Sequence, residues 1–286
     1  MRMSILTPLM KYMERLPPWL LARRGIQRRY VQTDHGPIHL FDGPGRGDGP
    51  PLLLLHGLGS RAADYGLLMS RLRRHTRRLI APDIPGHGSS PLPPGGLSIR
   101  DIESALLQTV DQVLDEPAIV IGNSMGGFAA VRLAGARPER TRALVLASPG
   151  GAPEPALDVF LQRFDLQTAA DARQFMDRCL GRRRLGQSLL AAGVQGRMLS
   201  AGPRHLVSQV SPDDMLQPEE LSSLAMPILM VWGREDEVLR RSHLAFFRRH
   251  LPAHATITTP PRVGHVPYLD DISGFVRLIE RFLATL

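Results

Sequence analysis

The chain has 286 residues, of which 43% are hydrophobic and 22% charged, so it can bury a full core and is not intrinsically disordered. A single cysteine, Cys179, excludes an internal disulfide framework and a four-cysteine zinc site. The net charge of +8 comes from arginine rather than lysine, and the arginine clusters lack the interleaved aromatic side chains that single-strand nucleic-acid binders use. We therefore expect no nucleic-acid partner.

The first 21 residues predict a short amphipathic helix. Ile5, Leu9, Met13 and Leu16 recur at helical spacing, but interspersed charges and prolines leave no apolar run long enough for a signal peptide or a membrane span. Two interpretations remain: a helix packed on the body of the protein, or a helix that contacts a membrane surface weakly, which the arginines that follow favour. We assign residues 1–27 to this segment and expect a cytoplasmic protein, membrane-associated under the second interpretation.

Beyond this segment, short apolar runs alternate with helical patterns. These runs are continuously apolar, which is typical of a parallel sheet covered by helices on both faces. The sequence therefore predicts an α/β fold. The predicted strands are a hairpin at 28–41 that turns at 34–36, then 52–55, 78–81, 118–121, 143–147, 228–231 and 256–259. The predicted helices are 98–114, with Ser98 as N-cap, 125–136, 243–250 and 272–283.

Between residues 148 and 226 only helical patterns occur. Leu157, Phe160 and Phe164 form one apolar stripe at helical spacing, and Met176 lies in a second. A helical insertion of about 70 residues is too small to fold alone and must bury its apolar face on the main domain. We expect a helical cap, or lid, at 150–222, which divides the α/β core into 28–149 and 223–286.

The strongest chemical motif is Gly-Asn-Ser-Met-Gly at 122–126, between a predicted strand and a predicted helix. A serine in the middle of such a turn is the nucleophile of a nucleophile elbow, and the flanking glycines allow close backbone approach. The N-terminus of the helix directs its free N–H groups and positive dipole end toward a developing oxyanion. We therefore predict that Ser124 is the nucleophile.

A second motif, His-Gly-Leu-Gly at 56–59, follows the first buried strand. Such a turn can supply an oxyanion donor, so we predict that the backbone N–H groups of Leu58 and Met125 form the oxyanion hole. We expect His56 to tie neighbouring loops together by hydrogen bonds rather than to act as a base.

A serine hydroxyl becomes a good nucleophile only beside a base that is itself oriented by a carboxylate. His265 fits the base because it lies in a Val-Gly-His-Val-Pro loop between the last predicted strand and the last helix. Asp236 fits the carboxylate because it follows a buried strand, at the edge where sites in parallel sheets lie. Glu235 and Glu237 are the alternatives to Asp236.

These motifs, in this order, resemble the α/β-hydrolase superfamily from about residue 28 to the C-terminus. Residues 82–90 are similar to the loop after a core strand in that family, where Asp83 and His87 would shape the loop rather than react. The resemblance implies an eight-stranded, mostly parallel sheet with an inserted helical cap. It implies no cofactor and no metal.

The resemblance also narrows the reaction. Ser124 stands where haloalkane dehalogenases and epoxide hydrolases of this fold have an aspartate. The cap and elbow are similar to carbon–carbon bond hydrolases of the meta-cleavage type, but those place a tryptophan after the catalytic histidine, where this chain has Val266. Residues 148–153 are more similar to monoacylglycerol-lipase-like esterases.

We therefore expect a serine esterase or lipase that forms an acyl-enzyme on a small-molecule ester. Its apolar acyl chain would lie against Leu157, Phe160, Phe164 or Met176. The alternatives are a meta-cleavage carbon–carbon bond hydrolase and a non-catalytic, ligand-binding member of the fold.

Overall fold

The protein is built on a single eight-stranded sheet in a computed structural model that describes residues 21–183 and 186–286. The strand order is β1-β2-β4-β3-β5-β6-β7-β8. β2 pairs antiparallel with β1 and β4, and the pairings among β3 to β8 are parallel, so the predicted mostly parallel sheet is confirmed. The strands are β1 (Gln27–Thr33), β2 (Gly36–Pro44), β3 (Leu52–Leu55), β4 (Arg78–Pro82), β5 (Ala118–Asn123), β6 (Thr141–Ala147), β7 (Ile228–Val231) and β8 (Thr256–Thr258).

The helices cover both faces of this sheet. In chain order they are α1 (Gly66–Leu72), α2 (Ile99–Val113), α3 (Met125–Ala136), α4 (Leu157–Leu161), α5 (Ala169–Cys179), α6 (Gln187–Met198), α7 (Ala201–Gln209), α8 (Pro218–Ser222), α9 (Arg241–His250), α10 (Pro267–Asp270) and α11 (Ile272–Leu283). α2, α3 and α9 pack on one face, and α1 and α11 on the other. Ser98 caps α2 in a capping box with Asp101, as its position in the sequence predicted.

The apolar runs that predicted the strands are buried on both sides. In β3, Leu53 and Leu55 belong to the apolar cluster under α2 and α3, whereas Leu52 and Leu54 belong to the cluster under α1 and α11. Because side chains alternate between the faces of a strand, only a continuous apolar run can fill both clusters.

The insertion between β6 and β7 is helical, as predicted. It comprises α4 to α8, and several of its buried residues, among them Met176 and Leu206, join the apolar cluster on the α2 and α3 face of the sheet. We refer to this insertion as the cap; the bounds 150–222 remain a prediction.

One helix of the core was not predicted from the sequence, and one predicted helix lies almost entirely outside the described residues. α1 was not predicted, because its arginine-rich surroundings mask a short apolar pattern at Leu68, Met69 and Leu72, all of which are buried. The predicted helix within residues 1–21 lies outside the described residues except for Leu21, which is buried. No helix in the described ranges has the length and apolarity needed to span a bilayer.

Candidate active site

Ser124 lies at the turn where β5 ends and α3 begins, in a strained backbone conformation. Its φ of 54° and ψ of −119° are rarely adopted by a residue with a side chain. The flanking glycines are a steric requirement: a Cβ on Gly122 would lie 2.2 Å from the Gly126 carbonyl oxygen, and one on Gly126 would lie 1.9 Å from the Leu55 carbonyl oxygen. This packing explains why glycines occupy positions 122 and 126 in the sequence.

Several hydrogen bonds hold the Ser124 peptide. Its carbonyl oxygen accepts from the N–H groups of Gly127, Phe128 and Gly150, at 2.9, 3.0 and 2.9 Å, and its own N–H donates to the Ala147 carbonyl at 3.1 Å. These partners come from α3 and from the end of β6 and the residues that follow it. The serine is therefore presented by the rigid centre of the sheet.

His265 and Asp236 meet at the same edge of the sheet. Nδ1 of His265 lies 2.9 Å from Oδ2 of Asp236, and the two side chains are 6% and 0% exposed. The carboxylate can only accept, so Nδ1 carries the hydrogen and Nε2 is left as the basic nitrogen. The other oxygen of Asp236 accepts from the N–H groups of Val238 and Leu239.

The two alternatives to Asp236 lie elsewhere. Glu235 accepts from the backbone N–H of Val263 at 3.1 Å, and Glu237 is exposed, with its own N–H donating to the Arg178 carbonyl. Asp236 is thus the one of these three acidic side chains that is hydrogen-bonded to His265.

Contacts from the cap hold the loop of His265. The N–H of His265 donates to the carbonyl of Cys179 at 2.7 Å, at the end of α5. Oδ2 of the buried Asp270 accepts from the N–H groups of Gly264 and Gly181, at 2.7 and 2.9 Å, and so joins the loop to the cap. Sequence reasoning missed Asp270, because nothing distinguishes it from an ordinary aspartate beside a helix.

Asn123 connects the serine turn to the histidine loop. Its side-chain Nδ2 donates to the carbonyls of Ala147 and His265, at 2.9 and 3.0 Å, and the residue is buried. No role for Asn123 was predicted from the sequence, although its position directly before Ser124 in the elbow was the available signal.

The His-Gly-Leu-Gly turn lies against the serine. A Cβ on Gly57 would lie 3.2 Å from Cβ of Ser124, so this glycine permits the close approach. The N–H groups of Leu58 and Met125 have no hydrogen-bond acceptor within the described ranges. Both amides are therefore available to an oxygen atom bound beside Ser124.

His56 has the structural position that we expected. It is fully buried, its Nε2 accepts from the Ile84 N–H at 2.9 Å, and its Nδ1 lies 2.9 Å from the Gly57 carbonyl. Burial lowers the pKa of His56 below its ordinary value. Asp83 holds the neighbouring loop by accepting from the N–H groups of Ala62 and Ser89, in agreement with its predicted role.

Residues 52–278 match the model of the alpha/beta hydrolase family. The chain belongs to this family. The match confirms the superfamily and the fold class that the motifs predicted, with its eight-stranded sheet and inserted helices.

Similar proteins include enzymes with different substrates. The chain is 30% identical over 251 residues to a pimeloyl-(acyl-carrier protein) methyl ester esterase of Yersinia enterocolitica, a match that covers 81% of this chain and 92% of the relative. A bacterial membrane phospholipase A has a similar structure, with a TM-score of 0.81 and 22% identity over 99% of this chain and 93% of that chain. So has the 2-hydroxy-6-oxo-6-phenylhexa-2,4-dienoate hydrolase of Rhodococcus sp. strain RHA1, with a TM-score of 0.77 and 20% identity over 91% and 99%. These two structural likenesses show the fold.

Two cavities of this α/β hydrolase meet at Ser124. The larger, of about 320 Å³, is lined by Ser124 and His265 together with α5 and α6. The smaller, of about 120 Å³, lies between Ser124 and the cap helices α4 and α7. Ser124, Leu58 and Phe164 line both.

The four side chains predicted to contact an acyl chain divide between these cavities. Leu157, Phe160 and Phe164 line the smaller cavity, whereas Met176 lines only the larger one. Helical spacing showed which face of each helix is apolar, but it could not show which cavity that face borders. The smaller cavity also contains a buried Glu154–His243 pair that sequence reasoning did not detect.

The larger cavity has a polar rim. Nε of Arg197, on α6, donates to the Gly59 carbonyl at 2.7 Å, and its guanidinium lies 3.8 Å from Asp64. Arg61 is paired with the same aspartate at 3.4 Å. The described parts of the chain contain no cluster of three or more side chains suited to a metal ion.

Proposed function

We propose that this α/β hydrolase cleaves carboxylic esters, with Ser124 as nucleophile, His265 as general base and Asp236 as the orienting acid. The observation that carries the proposal is the hydrogen bond between Nδ1 of His265 and Asp236, at the wall of a cavity that Ser124 also lines. Burial of both side chains supports it, because the low polarity around them strengthens that hydrogen bond.

The reaction proceeds in two steps. Oγ of Ser124 attacks the ester carbonyl carbon while Nε2 of His265 takes the hydroxyl proton, and the C–O bond then breaks as that proton passes to the departing alcohol. In the second step water attacks the acyl-enzyme and gives its proton to His265. Collapse of that intermediate releases the carboxylic acid and returns the proton to Ser124.

The oxygen that becomes negative in each step needs hydrogen-bond donors. We propose that the backbone N–H groups of Leu58 and Met125 supply them, since neither has an acceptor within the described ranges and both residues line the smaller cavity beside Ser124. The N-terminus of α3 adds its positive dipole end at the same point.

The two cavities provide separate places for the two halves of an ester. The smaller, mainly apolar cavity under the cap suits the acyl chain, against Leu157, Phe160 and Phe164. The larger cavity, with His265 and the polar rim of Arg61 and Arg197, suits the alcohol and its departure. Ester chemistry is further supported by the relative named as a methyl ester esterase. Val266, where meta-cleavage hydrolases have tryptophan, favours it over carbon–carbon bond cleavage.

Active-site labelling tests the mechanism. We expect a fluorophosphonate to label Ser124, and p-nitrophenyl butyrate to be hydrolysed. Ser124→Ala and His265→Ala should each lower kcat/KM by about four orders of magnitude, because these groups act as a unit. Asp236→Asn should lower kcat/KM by a comparable factor, whereas Glu237→Gln should retain the activity of the wild type.

The controls separate chemistry from folding. Ser222→Ala, an exposed change in α8, should leave both labelling and turnover intact. The circular dichroism of all variants should match that of the wild type. Labelling at another serine, or turnover that survives Ser124→Ala, would refute the mechanism. A folded wild type that neither reacts with the probe nor hydrolyses any ester would favour the non-catalytic alternative.

A finer part of the proposal concerns lipid-derived esters and a membrane surface. The segment that would contact lipid, residues 1–21, lies outside the described residues except at Leu21. Deleting residues 1–20 should abolish liposome binding and reduce monoacylglycerol turnover while sparing a short soluble ester. Absence of liposome binding by the full chain would refute this part alone.

A further inference from the structure

The smaller cavity is mainly apolar, but beside Ser124 and Asp214 its wall contains a buried acid–imidazole pair. Nε2 of His243 lies 3.2 Å from Oε2 of Glu154, and these side chains are 3% and 2% exposed. The guanidinium of Arg240 lies 3.3 Å from the same carboxylate oxygen, and the Ala156 N–H donates to the other. Both Glu154 and His243 line the cavity that contains Ser124.

Such a pair is costly in a pocket for a plain hydrocarbon chain. Removing a carboxylate and an imidazole from water destabilises the protein unless each hydrogen-bonding group is satisfied. Arg240 balances the charge of Glu154. The other ring nitrogen of His243, Nδ1, has no hydrogen-bond partner in the part of the chain that the structure describes, and it is not one of the fully buried atoms left without a partner, so it remains open to a ligand.

The contacts of His243 determine what Nδ1 can bind. Glu154 can only accept, so Nε2 of His243 carries the hydrogen. Burial lowers the pKa of His243, so the imidazole is neutral at pH 7 and Nδ1 presents a lone pair. The ring of Phe160 packs edge-to-face on the imidazole, with centroids 5.5 Å apart, and restricts its rotation. A neutral acceptor suits a hydroxyl group, which can donate a hydrogen bond to it, whereas an ionised carboxylate can only accept and would face the lone pair of Nδ1.

We propose that the smaller cavity selects acyl chains that carry a hydroxyl group, which donates a hydrogen bond to Nδ1 of His243. This inference rests on the proposed ester hydrolysis at Ser124 and names the class of acyl group. A plain chain fills the same cavity but leaves Nδ1 unpaired, and a site built to pair with a substrate hydroxyl discriminates against the analogue that lacks one.

Matched methyl esters test the selectivity. We would measure kcat/KM for methyl hexanoate, methyl 6-hydroxyhexanoate and monomethyl adipate, and for the corresponding eight-carbon esters, since chain length sets how deep the terminal group reaches. At the chain length that gives the larger difference, kcat/KM for the hydroxylated ester should exceed that for the plain ester by about tenfold. This factor corresponds to the free energy of one additional hydrogen bond of average strength. The half-ester with a terminal carboxylate should be the poorest.

Variants on one helix locate the effect. His243→Phe keeps a ring of similar size but removes the acceptor, so the ratio of hydroxylated to plain ester should fall to about one. His243→Gln retains a carbonyl acceptor and should restore part of the preference. His250→Phe is the matched control on α9, because that ring contacts Phe246 and does not line the cavity. Its ratio should equal that of the wild type.

The outcomes distinguish this inference from the proposed function. Equal kcat/KM for hydroxylated and plain esters at both lengths, in an enzyme that hydrolyses them, would overturn the inference and leave ester hydrolysis intact. A lower melting temperature in His243→Phe with an unchanged ratio would show that the pair serves stability alone, and would also overturn it. If no ester is hydrolysed and Ser124 is not labelled, the proposed function falls and the inference falls with it.

Discussion

The turn of Ser124 and the loop of His265 lie side by side, but different parts of the molecule hold them. The serine turn is held by the core: Gly126 lies against the backbone of β3, and the hydrogen bonds of the turn run to α3 and to the end of β6 and the residues after it. These contacts involve backbone atoms at the centre of the sheet, which have little freedom to move.

The histidine loop is held by the cap in addition to its contacts with Asn123 and Glu235. The Cys179 carbonyl and the Gly181 N–H, at the end of α5, reach His265 and Asp270 respectively. The Arg178 carbonyl accepts from the N–H of Glu237, beside Asp236. This part of the cap is therefore no loosely attached lid: it is hydrogen-bonded to the loops that carry His265 and Asp236.

The folding of the core and the alignment of His265 with Ser124 can therefore be perturbed separately. A change in the serine turn should damage the core, because its neighbours are backbone atoms of central strands. A change at the cap contacts should leave the core folded and displace His265, which lowers turnover more than stability.

The largest effect is expected from Gly126→Ala. The new Cβ would lie 1.9 Å from the Leu55 carbonyl oxygen, and no flexible side chain can move to relieve the overlap. We expect a loss of about 3 kcal/mol or more in the free energy of unfolding. Urea denaturation followed by circular dichroism measures it.

The control for that change lies on the same helix. A Cβ on Gly135 of α3 meets nothing within 4 Å. Gly135→Ala should therefore raise the free energy of unfolding, by up to about 1 kcal/mol, through helix propensity alone. Equal stability of the two variants would show that the serine turn is not held sterically by the core.

The next largest effect is expected from Asp270→Ala, which tests the cap contacts. It leaves the N–H groups of Gly264 and Gly181 without their carboxylate acceptor. Displacement of His265 should lower kcat by about one to two orders of magnitude, with a smaller change in KM. Asp270→Asn keeps an acceptor oxygen and should recover much of this activity.

The neighbouring aspartate is the control for Asp270. Asp271 also accepts a backbone hydrogen bond, but from Gly274 at the start of α11. Asp271→Ala should cost about 1 kcal/mol of stability, as the loss of a helix cap does, and leave kcat unchanged. If both alanine variants lower kcat equally, Asp270 has no particular role in positioning His265.

A smaller effect is expected from Arg197→Met. The substitution removes the hydrogen bond from α6 to the Gly59 carbonyl, the one described cap contact to the His-Gly-Leu-Gly turn that uses a charged side chain. We expect kcat to fall by about threefold to tenfold, a factor that corresponds to the net free energy of one hydrogen bond. Arg173→Met, an exposed change in the cap with the same loss of charge, should have no effect. Equal kcat values for the two variants would remove Arg197 from the positioning contacts.

The same division describes what the sequence could predict. The strands and the serine turn follow from local patterns, because continuous apolar runs and closely spaced glycines each have a physical cause within a few residues. Asp236 was preferred over its acidic neighbours from its place after a strand, and it is the one bonded to His265.

Contacts between distant segments were not predictable. Glu154 and His243 are 89 residues apart in sequence, as are Gly181 and Asp270. Asp270 and Asp271 are adjacent and chemically identical, yet one holds the histidine loop and the other caps a helix. Which aspartate does which depends on how the cap docks, and no local pattern encodes that.

The smallest effect is expected at Cys179, where the backbone contacts the histidine loop and the side chain does not take part in that contact. The carbonyl of Cys179 holds His265, but the thiol is buried, and burial raises its pKa well above the ordinary value. Dithionitrobenzoate should therefore react with the unfolded chain and hardly with the native protein. Cys179→Ala keeps the carbonyl, so kcat should change by less than about twofold while stability falls by about 1 kcal/mol. Rapid labelling of the native enzyme would contradict this, because it would mean that the end of α5 opens readily or that the larger cavity, which Cys179 lines, admits the reagent.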